Sequence, residues 1–233
     1  MPVVTISRFL GTTGDAIAEG VAHALGARLV NRQSLITAAT AAGVSPECLE
    51  EMHYESTLSL TNVVLNMLRT LPAVPRSRGS SIFDAAPLPT PEGRRTGVPP
   101  SVAEMEQGVH LLEKVMRDLA AEGNIVIVGR GANLVLKDMP EAFHVQIVAT
   151  VEARIQHLMH AAHVDRREAL ARLWASDRSR TDHVRRYYNQ SWTDSTLYDL
   201  VLNSERMDTA EAVQLIVTAA RARAQHAKAS STS

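Results

Sequence analysis

Val3-Val4-Thr5-Ile6-Ser7-Arg8-Phe9-Leu10-Gly11-Thr12-Thr13-Gly14-Asp15-Ala16-Ile17-Ala18 decides the reading of the chain. Val3, Val4 and Ile6 form a short apolar run that predicts a buried strand over residues 3–7. The turn between Gly11 and Gly14 follows. Ile17, Val21, Ala24 and Leu25 then recur at helical spacing, up to Gly26. A strand, a glycine turn and a helix start in that order aim backbone N–H groups and a helix N-terminus at one point, which suits an anion. The full phosphate-loop motif, G-x-x-x-x-G-K-[ST], adds a lysine for the outer phosphates and a hydroxyl for Mg²⁺. With its last glycine set on Gly14, the first glycine falls on Phe9, the lysine on Asp15 and the hydroxyl on Ala16. The architecture is kept, and the residues that do the chemistry are changed.

Further strand signals fall at residues 28–30, 124–128, 143–148 and 198–202. The run Ile125-Val126-Ile127-Val128 has no polar alternation, as expected of a strand covered on both faces. Helical patterns lie between them. One covers residues 102–122 and stops at Gly123. One follows Thr150 and buries Val151, Ile155 and Leu158. One starts near Asp165 and buries Leu170, Leu173 and Trp174. The last starts at Asp208 and buries Ala212, Val213, Ile216 and Val217. Alternating strands and helices predict an α/β fold of three layers, a parallel sheet of about five strands with helices on both faces. The expected organisation is one domain over residues 1–233. It carries a Pro/Arg-rich insert at 71–100, a helical lid at about 164–194 and a frayed tail at 222–233. The insert holds seven of the ten prolines together with Arg76, Arg78, Arg94 and Arg95, and has little apolar periodicity.

Composition narrows the function. The 233 residues carry a net charge of −1, which gives no electrostatic case for binding nucleic acid or a membrane surface. The single cysteine, Cys48, excludes an internal disulfide and reads as a small buried hydrophobe. No leader pattern opens the sequence and no apolar run approaches the ~18 residues of a membrane span, so a cytoplasmic protein is expected. His157, His160 and His163 sit at i, i+3 and i+6, and read either as metal ligands or as a polar helix face. No further ligand stands beside them, and zinc sites take three or four.

Three blocks of the chain resemble the cytidylate kinase-like family. The first is Ile6-Ser7-Arg8 with Gly11-Thr12-Thr13-Gly14 and Ile17-Ala18. The second is Ile125-Val126-Ile127-Val128-Gly129-Arg130-Gly131-Ala132-Asn133. The third runs from Asp177-Arg178-Ser179-Arg180 through Trp192-Thr193-Asp194 to Tyr198-Asp199-Leu200-Val201-Leu202-Asn203. The resemblance implies a P-loop nucleoside monophosphate kinase architecture, with ATP and Mg²⁺ as cofactors. The donor would be cradled by Arg8, Gly11, Thr12, Thr13, Gly14 and Asp15. CMP or a similar small acceptor would lie against Gly129, Arg130 and Gly131, with Asn31 and Arg32 near it. Arg130, Arg180 and Asp177 would act in catalysis, the arginines clamping phosphates. Asp15 and Ala16 depart from the working loop, so a second reading stands beside the phosphotransferase: a nucleotide-binding or regulatory protein on the same scaffold.

Overall fold

The structure, a computed structural model, describes residues 1–41, 43 and 102–230. The expected insert at 71–100 and Cys48 lie outside the described residues. Five strands form one sheet: β1 (Val3–Arg8), β2 (Arg28–Val30), β3 (Ile125–Val128), β4 (Ala142–Val148) and β5 (Leu200–Asn203). All the pairings are parallel, in the order β2-β3-β1-β4-β5, with β1 at the centre. Seven helices are found among the described residues: α1 (Gly14–Leu25), α2 (Arg32–Ala41), α3 (Val102–Ala121), α4 (Ala132–Val135), α5 (Val151–Ala162), α6 (Arg166–Tyr188) and α7 (Thr209–Ser230). The predicted three-layer α/β architecture is the one observed.

Side-chain alternation along the strands sorts the core into two layers. Val3, Ile125, Ile127 and Ala142 face α2, α3 and α4, where Leu35, Leu112, Met116 and Val135 meet them. Val4, Ile6, Val126, Val128, Val145 and Ile147 face α1 and α7 through Ile17, Val21, Ala212 and Ile216. All four residues of β3 are buried, which explains its unbroken apolar run. Two side chains depart from expectation. Val151 is 47% exposed because it is the first residue of α5, before the helix turns onto its neighbour. Trp174 is 62% exposed because it lies one residue, about 100° of helix rotation, beyond the buried Leu173. The tail expected to fray continues α7 in helix to Ser230. Its Ala-rich sequence favours helix, and Arg221 donates to the Ala24 carbonyl.

The α1–α7 contact depends on Gly20. A Cβ there would lie 2.6 Å from Val213 Cγ2. Gly20→Ala gains helix propensity of up to ~1 kcal/mol, but forcing a methyl into this close, half-buried helix contact costs about 1–3 kcal/mol. We expect a net loss of stability in urea titration, reversed by adding Val213→Ala. A Gly20→Ala protein as stable as wild type would contradict the packing argument.

The face of the sheet below α4 turns polar toward its carboxyl edge. Thr5 Oγ1 and His144 Nδ1 lie 2.8 Å apart in a buried pair. Burial pushes the His144 imidazole below its ordinary value of 6.5. Asp199 and the Leu136 carbonyl pull upward, and Arg223 adds to the downward push. Folding therefore favours neutral His144, and the unfolded chain takes up the proton first. The stability this contributes is complete above pH 6.5 and drains away as the pH falls below it. His144→Gln is expected to flatten the stability profile between pH 7 and 5; an unchanged slope would refute this assignment.

Candidate phosphate site at the carboxyl edge of the sheet

β1 leads to α1 on one face of the sheet, and β3 leads to α4 on the other. Their loops therefore part at the carboxyl edge, at the switch point where open α/β sheets bind ligands.

In the first loop, the Phe9 N–H bonds the Ile147 carbonyl at 3.2 Å. The Thr12 hydroxyl returns to the Phe9 carbonyl at 2.8 Å and accepts from the Gly14 N–H at 3.4 Å. Gly11 adopts φ +81°, and a Cβ on it would stand 2.5 Å from the Arg154 carbonyl oxygen. Conformation and space both demand glycine. Thr13 is the N-cap of α1 but makes no side-chain capping bond, and its Oγ1 is buried without a hydrogen-bond partner. Arg8 Nε pairs with Asp15 Oδ1 at 2.6 Å, so the carboxylate in the lysine position is met by a cation from the end of β1.

In the second loop Gly129, Arg130 and Gly131 take φ of +74°, +59° and +68°. Arg130 is the non-glycine member of three successive left-handed residues, a conformation that costs L-residues energy. Gly131 is tight as well, since a Cβ there would lie 3.3 Å from the Tyr188 ring at the end of α6. Burial pushes the Tyr188 phenol well above its usual range, and the charge and hydrogen bond of Glu113 add to the shift. Asn133, 4% exposed, receives the Ser7 hydroxyl at 3.4 Å while its Nδ2 has no partner.

Over the first loop lies α6, capped by Asp165, which accepts from the Glu168 N–H at 2.7 Å. The loop and α6 are joined by a residue that sequence reasoning passed over. Arg154, on α5 and 2% exposed, donates from Nε to the Leu10 carbonyl at 2.7 Å. Its two terminal nitrogens grip Asp177 at 2.9 and 2.8 Å. Its guanidinium carbon lies 4.7 Å from the centroid of the Phe9 ring. A signal was present: an arginine inside the apolar stripe that holds Ile155 and Leu158. Asp177, expected to act in catalysis, thus has both oxygens bound by Arg154. Arg180, one turn on, donates to the Arg8 carbonyl and sits 5.3 Å from the Trp192 ring centroid. Trp192 packs on Phe9 with the centroids 4.2 Å apart, and its indole N–H reaches the Thr181 hydroxyl at 3.0 Å. The Trp192 carbonyl accepts from Gln146 Nε2 at 2.9 Å and from the Tyr198 hydroxyl at 2.7 Å.

The structure therefore brings Arg8, Gly11, Thr12, Thr13, Gly14, Asp15, Asp177 and Arg180 together around the first loop. Gly129, Arg130 and Gly131 form the second. Asn31 and Arg32 follow β2, beside β3. Asn31 is committed locally, accepting from the Ser34 N–H at 3.1 Å, and Arg32 opens α2. Among the described residues no three His, Cys, Asp or Glu side chains gather as a metal-binding group. His163 instead ends α5 in a left-handed conformation.

Removing the Arg154 side chain leaves the Asp177 carboxylate without its partner, and such losses cost about 3–5 kcal/mol. Arg154→Met should lower stability on that scale in urea titration. Adding Asp177→Asn should restore a large part of it, because no charge is then stranded. Additive losses in the double variant would mean that the pair is not coupled.

No helix among the described residues is long and apolar enough to cross a membrane. None of the curated proteins matches the chain. Among solved structures, an uncharacterized protein from Eubacterium ventriosum ATCC 27560 is similar, with a TM-score of 0.63 and 18% identity. The match covers 95% of this chain and 98% of that one. A gluconokinase from Sinorhizobium meliloti 1021 aligns with a TM-score of 0.48 and 9% identity, over 99% of this chain and 97% of that one. A shikimate kinase from Bacteroides thetaiotaomicron aligns with a TM-score of 0.43 and 11% identity, over 94% and 95%. The family model described as "Cytidylate kinase-like family" matches residues 3–206, and the chain, a kinase-like scaffold in its fold, belongs to that family.

Proposed function

We propose that this protein is a nucleotide-dependent phosphotransferase that moves a phosphoryl group from ATP to CMP or a similar small acceptor. The observation that carries the reading is the pairing of two glycine loops at the switch point of the sheet, each with its own arginine. Arg8 stands at the first loop and Arg130 at the second. Phosphoryl transfer makes few covalent demands on the protein. It needs positioned phosphates and cations on the equatorial oxygens of a loose transition state. The Gly11–Gly14 turn and the N-terminus of α1 would hold the donor phosphates, with Arg8 in the lysine's role. Gly129 and Gly131 would let the acceptor phosphate approach the backbone while Arg130 grips it in a bidentate fork. Arg180, on α6, would reach the transferring group from above. Asp177 would serve by positioning Arg154 rather than by touching substrate. Asn31 and Arg32 would border the acceptor from β2.

The loop residues fit a phosphate chain but do not fit a Mg²⁺ held by the protein. Ala16 has no ligand atom where the motif has a hydroxyl, and Asp15 is engaged by Arg8. A metal would therefore have to arrive on the nucleotide. The Arg8–Asp15 pair also favours a second reading, a nucleotide-binding or regulatory protein that has lost turnover, since the loop's cation is already neutralised.

The two readings separate in one experiment. Phosphoryl transfer from Mg-ATP would be measured across a panel of nucleoside monophosphates including CMP and dCMP, with Arg130→Ala as control. Turnover that disappears in the control is expected and would identify the acceptor. Absence of turnover, together with a higher melting temperature in the presence of a nucleotide, would favour the regulatory reading. Silence in both assays would remove nucleotides as ligands.

A further inference from the structure

Resting on the reading of the first loop as a phosphate site, we propose that Asp15 is a built-in rival to the ligand's phosphate for Arg8. The loop then carries its own displaceable anion. Three features of the pair support this. The cation is fixed in place: a Cβ on Gly14 would meet Arg8 Cβ at 2.6 Å, Cδ at 3.0 Å and Cγ at 3.2 Å. The stem of Arg8 therefore lies flat across the first residue of α1. Gly14 is glycine to let that side chain pass. Arg180 bonds the Arg8 carbonyl and holds the strand end as well. The carboxylate, in contrast, is free to leave, since the side chain of Asp15 is 68% exposed against 25% for Arg8. Finally, the cation is only partly used. Asp15 engages Nε alone, and among the described residues the two terminal nitrogens of Arg8 take no hydrogen bond.

An incoming terminal phosphate brings more charge and more acceptor oxygens than a carboxylate, and a guanidinium fork matches it on two atoms. The buried, unpartnered Thr13 hydroxyl adds a donor in the same turn. The ligand class is the phosphate chain of a nucleoside polyphosphate, for which inorganic pyrophosphate is a minimal probe.

The test is calorimetric titration of pyrophosphate in EDTA, so that no metal bridges the phosphate to a carboxylate. Wild type, Asp15→Asn, Arg8→Gln and the double variant would be compared, each checked for folding by circular dichroism. Asp15→Asn keeps an oxygen for Arg8 Nε and removes only the charge. It is expected to tighten binding about two- to fivefold, the scale of one exposed charge contact. Arg8→Gln is expected to abolish binding, and Asp15→Asn should then bring no recovery. Wild-type binding that Asp15→Asn leaves unchanged or weakens overturns the rivalry while leaving the phosphate site standing. Binding that survives Arg8→Gln does the same. Pyrophosphate bound by none of the folded proteins overturns both.

Discussion

Arg154 is withdrawn from water almost completely, and its charge is tolerated because every nitrogen of its guanidinium is bonded. Two nitrogens hold Asp177, the third holds the Leu10 carbonyl, and the flat face lies on Phe9. An arginine fork suits this, since its donors are fixed in one plane and need little ordering to bond. The residue touches the first loop, α5 and α6 at once. Within the loop itself, Thr12 makes the bonds, to the Phe9 carbonyl and from the Gly14 N–H. The rest of the loop's shape is imposed from outside. Gly11 is pressed against the Arg154 carbonyl, Leu10 is bonded by the Arg154 side chain, and Arg8 is bonded by Arg180.

Asp177 and Arg180 therefore both end on the β1–α1 segment, Asp177 through Arg154 at Leu10 and Arg180 directly at Arg8, the last residue of β1. They lie almost one turn apart on α6, so the helix cannot slide or roll without disturbing two carbonyls. Trp192 seals the far side against Phe9, and Tyr188 meets Gly131 of the second loop. One helix thus touches the loops on both sides of the switch point. At its other end it is tied to α5 by the forked Arg166–Glu152 pair, whose hydrogen bonds hold the Glu152 carboxyl down to about 2. Such a helix lends itself to coupling the two loops, since a shift that suits one is felt by the other.

Much of this was legible in the chain before any coordinates. The β-branched run at Ile125–Val128, the glycines at the ends of α1 and α3 and the spacing of Ile17 and Val21 depend on local sequence, and local sequence signals survive folding. The strand boundaries came within a residue or two. The partner choices of charged residues were not legible. Asp177 is expected to act in catalysis and Arg154 draws no reading at all until the fold brings residues 23 positions apart into bidentate contact. The sequence puts Arg8 within reach of Asp15, but that Arg8 lies across Gly14 to meet it is seen only in the fold. Trp174 shows the same limit in reverse, because one residue of helical phase separates a core position from an exposed one.

The two tryptophans of the chain stand in opposite environments. Trp174 faces solvent, while Trp192 is enclosed between the first loop and α6, with its indole nitrogen bonded to Thr181. Without Trp174, all the indole emission of the chain would come from the seam between those two elements. The protein therefore carries an optical reporter at the joint where its loop and its roof would separate, and the opening of that joint could be timed with light and no attached label.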